Sequence, residues 1–570
     1  MRRTRSWIFT ALLALTLTAF LYFAYHGKQV FLHGPAAGLR TDLAVVPYYA
    51  LRSFLRMLAA YVLSFAFSVI YGYAAGANRR AEKLLLPILD ILQSVPILGF
   101  FPAAIYFFVA LFRGSVAGVE VASIFLIFTS QAWNMTFGFY ESMTTIPSYL
   151  GEAMDAYGVS GFLRFRRLFF PASIPKLVYN SIMSWAGGWY FLIAAEIIAI
   201  GPVRYSLPGL GSYLVQTAEK GELGATVVGL LTLVSMIVAL DVVVWRPLSV
   251  WAENFKYEFS TGAVRESLFY DLWKHSPLLR LVRRLASRLG SRAVGLLNGW
   301  VLAMAGWRTR SRVVNRGVVL LRTAVGAGLI GLLAYVSARG GLAILSTLRH
   351  PLAPEARLIP AGMLFSLLRL VAAYLISLAW TLPCAIWISH SERVYELLTP
   401  VFEVAASVPA TALFPIIVLL LARLTGGMTL ASILLVLTGM QWYLLFNLIG
   451  GVRSIPNDLR EAAAAYGLKG PLYWRRVVIP ALLPSLITGS ITAWGGGWNA
   501  LIVSEYVVYA GHTYQAFGIG SILDRATYAT GDFQTIWLSL AAMVVVIVAM
   551  NRLLWRRLYE YVANRYRIEY

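Results

Sequence analysis

Charge is scarce in this chain. Of its 570 residues, 13% are Asp, Glu, Lys or Arg and 59% are hydrophobic, and the mean hydropathy is +0.70. A soluble domain carries about 25% charged residues, so this chain cannot cover itself with a polar surface and its solvent is lipid. Cysteine is almost missing. Cys384 stands alone inside an apolar run, which excludes an intrachain disulfide and any CxxC redox or metal motif. The six histidines show no H-E-x-x-H spacing, and no G-x-x-x-x-G-K-[ST] phosphate loop occurs. A metal-dependent membrane enzyme and ATP hydrolysis by a phosphate loop of its own are therefore not expected. Acidic residues are few, 26 against 48 Lys and Arg, for a net charge of +22. In a soluble protein that excess points to nucleic acid. Here the basic residues lie between apolar runs, where orientation in a membrane accounts for them and no nucleic-acid partner is expected.

What is abundant is apolar runs of about 20 residues, the length that crosses a bilayer as a helix. Candidate spans fall at about 7–25, 52–75, 88–112, 117–140, 177–201 and 224–246, and again at 318–346, 362–388, 399–423, 428–450, 486–510 and 533–554. The run after Met1 has no clear small-residue cleavage site behind it, so it reads as an uncleaved first helix. Arg2, Arg3 and Arg5, then Arg79, Arg80 and Lys83, then Arg164, Arg166, Arg167 and Lys176 all fall on one side, as do Arg280, Arg283, Arg284, Arg288, Arg292, Arg552, Arg556 and Arg557. That side is cytoplasmic, and both termini share it. The expected fold is an all-α polytopic membrane protein of about twelve transmembrane helices. It forms two parallel six-helix repeats, 1–250 and 317–570, joined by a basic cytoplasmic linker at 251–316. Within the linker, Ala293–Trp307 is too short to span and reads as an interfacial helix.

The repeat is visible in the residues themselves. "LGEAMDAYGVSGFLRFRRLFFPASIP" at 150–175 aligns with "LREAAAAYGLKGPLYWRRVVIPALLP" at 459–484, 309 residues on. The same offset brings Trp185 onto Trp494, Trp189 onto Trp498, Glu196 onto Glu505, and Gly209 and Gly211 onto Gly518 and Gly520. Upstream the offset is 313, and "SVP" at 94–96 meets "SVP" at 407–409. An even number of spans per half makes the repeats parallel, related by an axis along the membrane normal.

Each repeat has a loop of about 35 residues between its fourth and fifth spans, far longer than the usual 2–8. In the second repeat, Asn457 suits an N-cap, Asp458 and Glu461 suit the amino end of a helix, four alanines favour helix, and Gly467 suits its stop. A second short amphipathic segment follows, with Trp474, Val477 and Ile479, and Pro480 leads into the fifth span. Two short helices at an angle are predicted. A glutamate-alanine start, a glycine six residues after the glutamate and a proline thirteen after the glycine occur twice: Glu152, Ala153, Gly158, Pro171 and Glu461, Ala462, Gly467, Pro480. Met154 replaces the alanine found at Ala463.

This pattern resembles the "EAA" coupling loop of the permeases of binding-protein-dependent ABC importers, over about 45–250 and 360–560. The resemblance implies an inner-membrane, multi-pass permease that binds no cofactor of its own. Its partners are two copies of an ABC ATPase, which hold ATP and magnesium and receive the loops at 147–171 and 456–480, and an extracytoplasmic solute-binding protein. Arg166, Arg167, Arg475 and Arg476 could pair with acidic residues of that ATPase, or anchor the loops at lipid headgroups. Among such permeases, those for nitrate, sulfonates and taurine are the most similar, through "SVP" and "PGLG" at 208–211. Fused permeases for ferric iron or thiamine, and a proton-coupled secondary transporter, are the alternatives. Arg204 and His512, in outer loops, could meet an anion.

In the fifth span of each repeat, Trp185, Trp189 and Glu196, and Trp494, Trp498 and Glu505, fall within roughly 40° of one another around the helix at about 100° per residue. A glutamate in a span avoids lipid. Two readings follow: the stripe lines the pathway or its outer gate, or it packs between helices with its carboxylate hydrogen-bonded to backbone or lying near the outer interface.

Overall fold

The computed structural model describes most of residues 39–255 and 351–565, apart from much of 95–114 and 408–425 and a few turn residues, together with scattered residues of 11–29 and residue 331. The expected spans at 7–25 and 318–346, and nearly all of the 251–316 linker with its Ala293–Trp307 segment, lie largely or wholly outside the described residues.

The chain is helical and polytopic. In the first repeat, α1 (Val46–Gly76), α2 (Arg79–Ser94), α3 (Val116–Thr144), α4 (Ser148–Ala156), α5 (Phe170–Glu196), α6 (Leu210–Glu219) and α7 (Leu223–Leu240) follow in order. In the second, α8 (Ile359–Ser389), α9 (Glu392–Ser407), α10 (Gly427–Arg453), α11 (Asn457–Ala465), α12 (Ile479–Ser504), α13 (Ile519–Arg525) and α14 (Phe533–Met550) repeat that order, and α15 (Arg556–Arg565) follows. Seven helical stretches among the described residues are long and apolar enough to cross a membrane, and α5 adds 27 residues.

The faces of α1 show which solvent it was selected for. Its buried side carries Tyr49, Ser53, Arg56, Ala60, Ser64, Ser68 and Gly72, while Leu55, Leu58, Val62, Leu63 and Ile70 are exposed. In water that distribution would be inverted. In lipid, large apolar side chains face outward and small or polar ones let helices approach and bond. Thus Ser64 Oγ donates to the carbonyl of Phe128 at 3.2 Å and Ser68 Oγ to that of Ala132 at 3.0 Å, drawing α1 onto α3. On α8 the pattern recurs, with Gly362, Ser366, Arg369, Ala373 and Ser377 buried and Leu364, Phe365, Leu368 and Leu375 exposed.

Two features depart from the sequence expectation. The fifth spans, expected at 177–201 and 486–510, end at Glu196 and Ser504. Beyond them the chain turns back in short antiparallel hairpins, β1 (Ile197–Ile200) with β2 (Val203–Ser206) and β3 (Tyr506–Tyr509) with β4 (His512–Gln515). The apolar, β-branched Ile197, Ile198 and Ile200 read as more helix by hydropathy, yet β-branching suits a strand equally well. Secondly, the second segment of each long loop is continuous with the fifth helix through a π-helical turn, Phe165–Phe169 and Trp474–Val478. Pro171 and Pro480 then fall at the second residue of α5 and α12, directly after the π-helical turn, where the continuous helix lacks their N–H.

Packing groups the chain into two compact units: Met1–Leu21, Glu141–Tyr179 and Leu240–Leu352 in one, and Tyr22–Tyr140, Asn180–Ala239 and Ala353–Tyr570 in the other. The first long loop belongs to the former and the second long loop to the latter.

Candidate functional site

The two long loops have the same local build. α4 ends where Gly158 takes φ +64° and α11 where Gly467 takes φ +66°, a backbone region costly for any residue with a Cβ. The closing bonds also match: Val159 N donates to Met154 O at 2.8 Å, and Leu468 N to Ala463 O at 2.9 Å. That six-to-one bond satisfies helix-end carbonyls. Glu152, Ala153, Glu461, Ala462, Arg166, Arg167, Arg475 and Arg476 are all exposed. Beside the glycines stand two residues that the motif alone did not single out, Tyr157 and Tyr466, at 86% and 85% exposure. They are 309 residues apart, so the repeat alignment itself was the signal that could have found them. Both repeats therefore present an exposed aromatic at the same place beside the helix stop.

The loops also differ. Arg164 Nη1 donates to Asp155 Oδ1 at 2.8 Å, tying the two segments of the first loop together. The second loop has Tyr473 and Ala464 at those places, so that tie is absent there.

The tryptophan–glutamate stripe faces inward, within its own repeat. Glu196 and Glu505 are both 0% exposed. Glu196 Oε1 accepts from Ser53 Oγ at 2.6 Å and from Arg56 Nη1, and its Oε2 accepts from the backbone of Gly211 at 2.6 Å. Ser53 Oγ in turn accepts from Leu210 N at 2.8 Å. The N-terminus of α6 thus points its free N–H groups at the carboxylate. In the second repeat, Glu505 accepts from Ser366 Oγ at 2.6 Å, from Arg369 Nη1, and from Gly520 N at 2.7 Å, while Ile519 N donates to Ser366 Oγ at 2.9 Å. Arg369 Nη2 also donates to Phe517 O at 2.5 Å. These clasps pin the end of the fifth span to α1 or α8, the second span of its repeat, and to the segment after the hairpin.

The glycines of 208–211 follow from the clasp. A Cβ on Gly209 or Gly518 would run into the carboxyl group of Glu196 or Glu505, and one on Gly211 would lie 2.6 Å from Ile193 Cα. Arg56 and Arg369 escaped the sequence reading. Their signal was an arginine deep in an apolar run, three residues after a serine, at the 313 offset already marked by "SVP". The first clasp is larger, since Arg56 Nε also donates to Glu120 at 2.9 Å and Arg52 pairs with the same carboxylate. Thr429 and Phe365 occupy the equivalent places in the second repeat. The first cluster sets two arginines against two carboxylates, as a buried group of ions requires.

The tryptophans complete the seam. Trp185 meets Tyr61 edge-on at 5.4 Å and Trp189 at 6.2 Å between ring centroids. Trp494 packs at 5.8 Å against both Tyr374 and Trp555. Tyr61 donates to Ser181 Oγ at 3.0 Å, and Tyr374 bonds Ser490 Oγ at 2.7 Å. Trp189 and Trp498 are buried beside them. Arg204 and His512 lie on β2 and β4. No group of three or more metal-binding side chains occurs among the described residues.

Comparison with known proteins matches these repeats. The family described as "Binding-protein-dependent transport system inner membrane component" matches the chain twice, at 64–245 and 377–568. A nitrate import permease protein, NrtB, of Leptolyngbya laminosa is 28% identical over 200 residues, which cover 35% of this chain and 66% of that protein. A putative ABC transporter permease protein of Methanocaldococcus jannaschii is 30% identical over 142 residues, 25% of this chain and 52% of that one. The bicarbonate transport system permease protein CmpB of Synechococcus elongatus is 27% identical over 143 residues, 25% and 50% of the two chains. The chain thus spans between about half and two thirds of the length of these relatives.

Proposed function

Because this chain belongs to the family of binding-protein-dependent transport system inner membrane components, we propose that it is the permease of an ABC importer for a small anion, with both halves of the pathway fused in one polypeptide. The observation that carries the reading is the duplicated long loop, exposed at Glu152, Ala153 and Tyr157 and at Glu461, Ala462 and Tyr466, and ended each time by a left-handed glycine. A rigid, solvent-facing helix with an aromatic apex is what a cytoplasmic motor can grip.

In this mechanism both termini are cytoplasmic and each loop seats in one of two ATPase subunits. Those subunits hold ATP and magnesium; the permease supplies no catalytic group. A loaded extracytoplasmic binding protein docks on the opposite face. Closure of the ATPase pair drives the loops together and rocks the repeats about their common axis, opening the pathway outward; hydrolysis returns it inward. The π-helical turns at 165–169 and 474–478 join each loop to its fifth helix without a break, so displacement of a loop moves a pathway helix directly. Arg166, Arg167, Arg475 and Arg476 border the docking helices and face either the ATPase or the headgroups. Trp185, Trp189, Glu196, Trp494, Trp498 and Glu505 act from behind the pathway wall. Their burial against α1 and α8 supports a role in holding the fifth helix rigid as it moves. The anion reading draws on the nitrate and bicarbonate permeases among the relatives.

The test is reconstitution of the full chain with its ATPase and binding protein in liposomes. Glu152→Ala with Glu461→Ala, and separately Tyr157→Ala with Tyr466→Ala, should abolish binding-protein-stimulated ATPase activity. Uptake that follows a proton gradient, with no ATPase subunit assembling, would instead establish a secondary transporter.

A further inference from the structure

The duplication supplies an internal alignment, and at one place it shows an exchange. Position 134 on α3 corresponds to 443 on α10, and position 190 on α5 to 499 on α12. The first repeat holds Asn134 and Tyr190; the second holds Tyr443 and Asn499. The same two residue types have traded helices.

One of these side chains bonds the opposite repeat, and another lies near it. The Tyr190 phenol lies within electrostatic range of Tyr443. Asn499 Oδ1 accepts from the backbone amide of Ile97, in the first repeat, at 2.8 Å. Gly496 makes room for the Tyr443 ring, since a Cβ there would lie 2.7 Å from it. Asn134 is exposed, although it sits well inside α3. Lipid offers an amide no hydrogen bond, so an exposed asparagine at that depth belongs on a water-filled space. The 309-residue offset carries the Tyr190 and Tyr443 positions onto Asn499 and Asn134.

We propose that Asn134, Tyr190, Tyr443 and Asn499 form the selective constriction of the pathway, with two phenols on one side and two carboxamides on the other. The proposal rests on the importer reading above and deepens it to the groups that touch the solute. Phenol O–H and amide N–H groups donate hydrogen bonds without a fixed positive charge. A ring of such donors favours a small oxyanion, yet binds it weakly enough for release, as conduction requires. Unlike walls also orient a planar anion, which a permease built from two identical subunits could not do.

The experiment uses the full chain assembled with its ATPase and binding protein, in a Cys384→Ala background that removes the sole cysteine. Asn134→Cys, Tyr190→Cys, Tyr443→Cys and Asn499→Cys are each treated with a membrane-impermeant thiol reagent, with and without ATP and vanadate. All four should be modified in at least one state, at rates that differ between states. No modification of Asn134→Cys and Asn499→Cys in either state would overturn the constriction. Separately, Tyr190→Phe, Tyr443→Phe and Asn499→Leu should each lower nitrate taken up per ATP hydrolysed about tenfold, the scale of one lost hydrogen bond. An unchanged ratio would refute solute contact. If the unaltered complex takes up neither nitrate nor bicarbonate while the four positions are modified, the anion reading fails and the pathway assignment stands.

Discussion

Gly489 on α12 and Asn447 on α10 pack so closely that a Cβ on the glycine would lie 2.8 Å from the Cβ of the asparagine. The first repeat holds the same contact reversed, with Gly138 on α3 against Asn180 on α5. The equivalent pairs are Gly138 with Asn447 and Asn180 with Gly489, each 309 residues apart. One asparagine fills the space that one glycine leaves, whichever helix supplies it.

This exchange makes a prediction about coupling. Gly138→Asn alone places two carboxamides in a space for one, and overpacking of that kind costs about 1–3 kcal/mol. Asn180→Gly added to it should recover most of the loss, because the second repeat already uses that arrangement. Thermal unfolding of the two single variants and the double variant in detergent gives the interaction energy. An additive double variant would show that the sites do not share a space.

The buried clasps should be intolerant of half-removal. Glu196→Ala leaves Arg56 without one of its two carboxylate partners, and breaking a buried pair costs about 3–5 kcal/mol. Removing both charges, as Arg369→Met with Glu505→Met in the simpler second clasp, should cost less than Glu505→Ala alone. Gly209→Ala should behave like Glu196→Ala, since its methyl group occupies the carboxylate's place. The unfolding midpoint of each variant, read by intrinsic tryptophan fluorescence, orders them.

Gln131 offers a gain instead. It is fully buried on α3, and both side-chain polar atoms lack a hydrogen-bond partner among the described residues. Its amide nitrogen lies 2.5 Å from where a Cβ on Gly188 would sit. The second repeat has Met440 packed on Gly497 at the same place. Gln131→Met should therefore raise the unfolding midpoint, by the about 1–3 kcal/mol that an unsatisfied buried polar group costs. A lower midpoint would mean that an ordered water satisfies Gln131 and is lost with it.

The amino-acid sequence by itself determined the solvent, the helices and the duplication. Hydropathy and helix length are local properties, read from about 20 neighbouring residues, and the 309-residue offset is visible in residue identities. The turn glycines Gly158 and Gly467 were also legible, because a helix stop is written within one turn. The partner of Glu196 was not, because Arg56 lies 140 residues away and no local pattern joins them. The direction of the tryptophan stripe was hidden for a related reason. The glutamate turned the stripe away from lipid, but no local pattern told a pathway from a neighbouring helix. Only the tertiary structure decided that Trp185 turns onto Tyr61, that the fifth helix stops at Glu196, and that its carboxylate is held by Ser53, Arg56 and the first N–H groups of α6. Those outcomes depend on which surfaces pack together, and packing is a property of the whole chain.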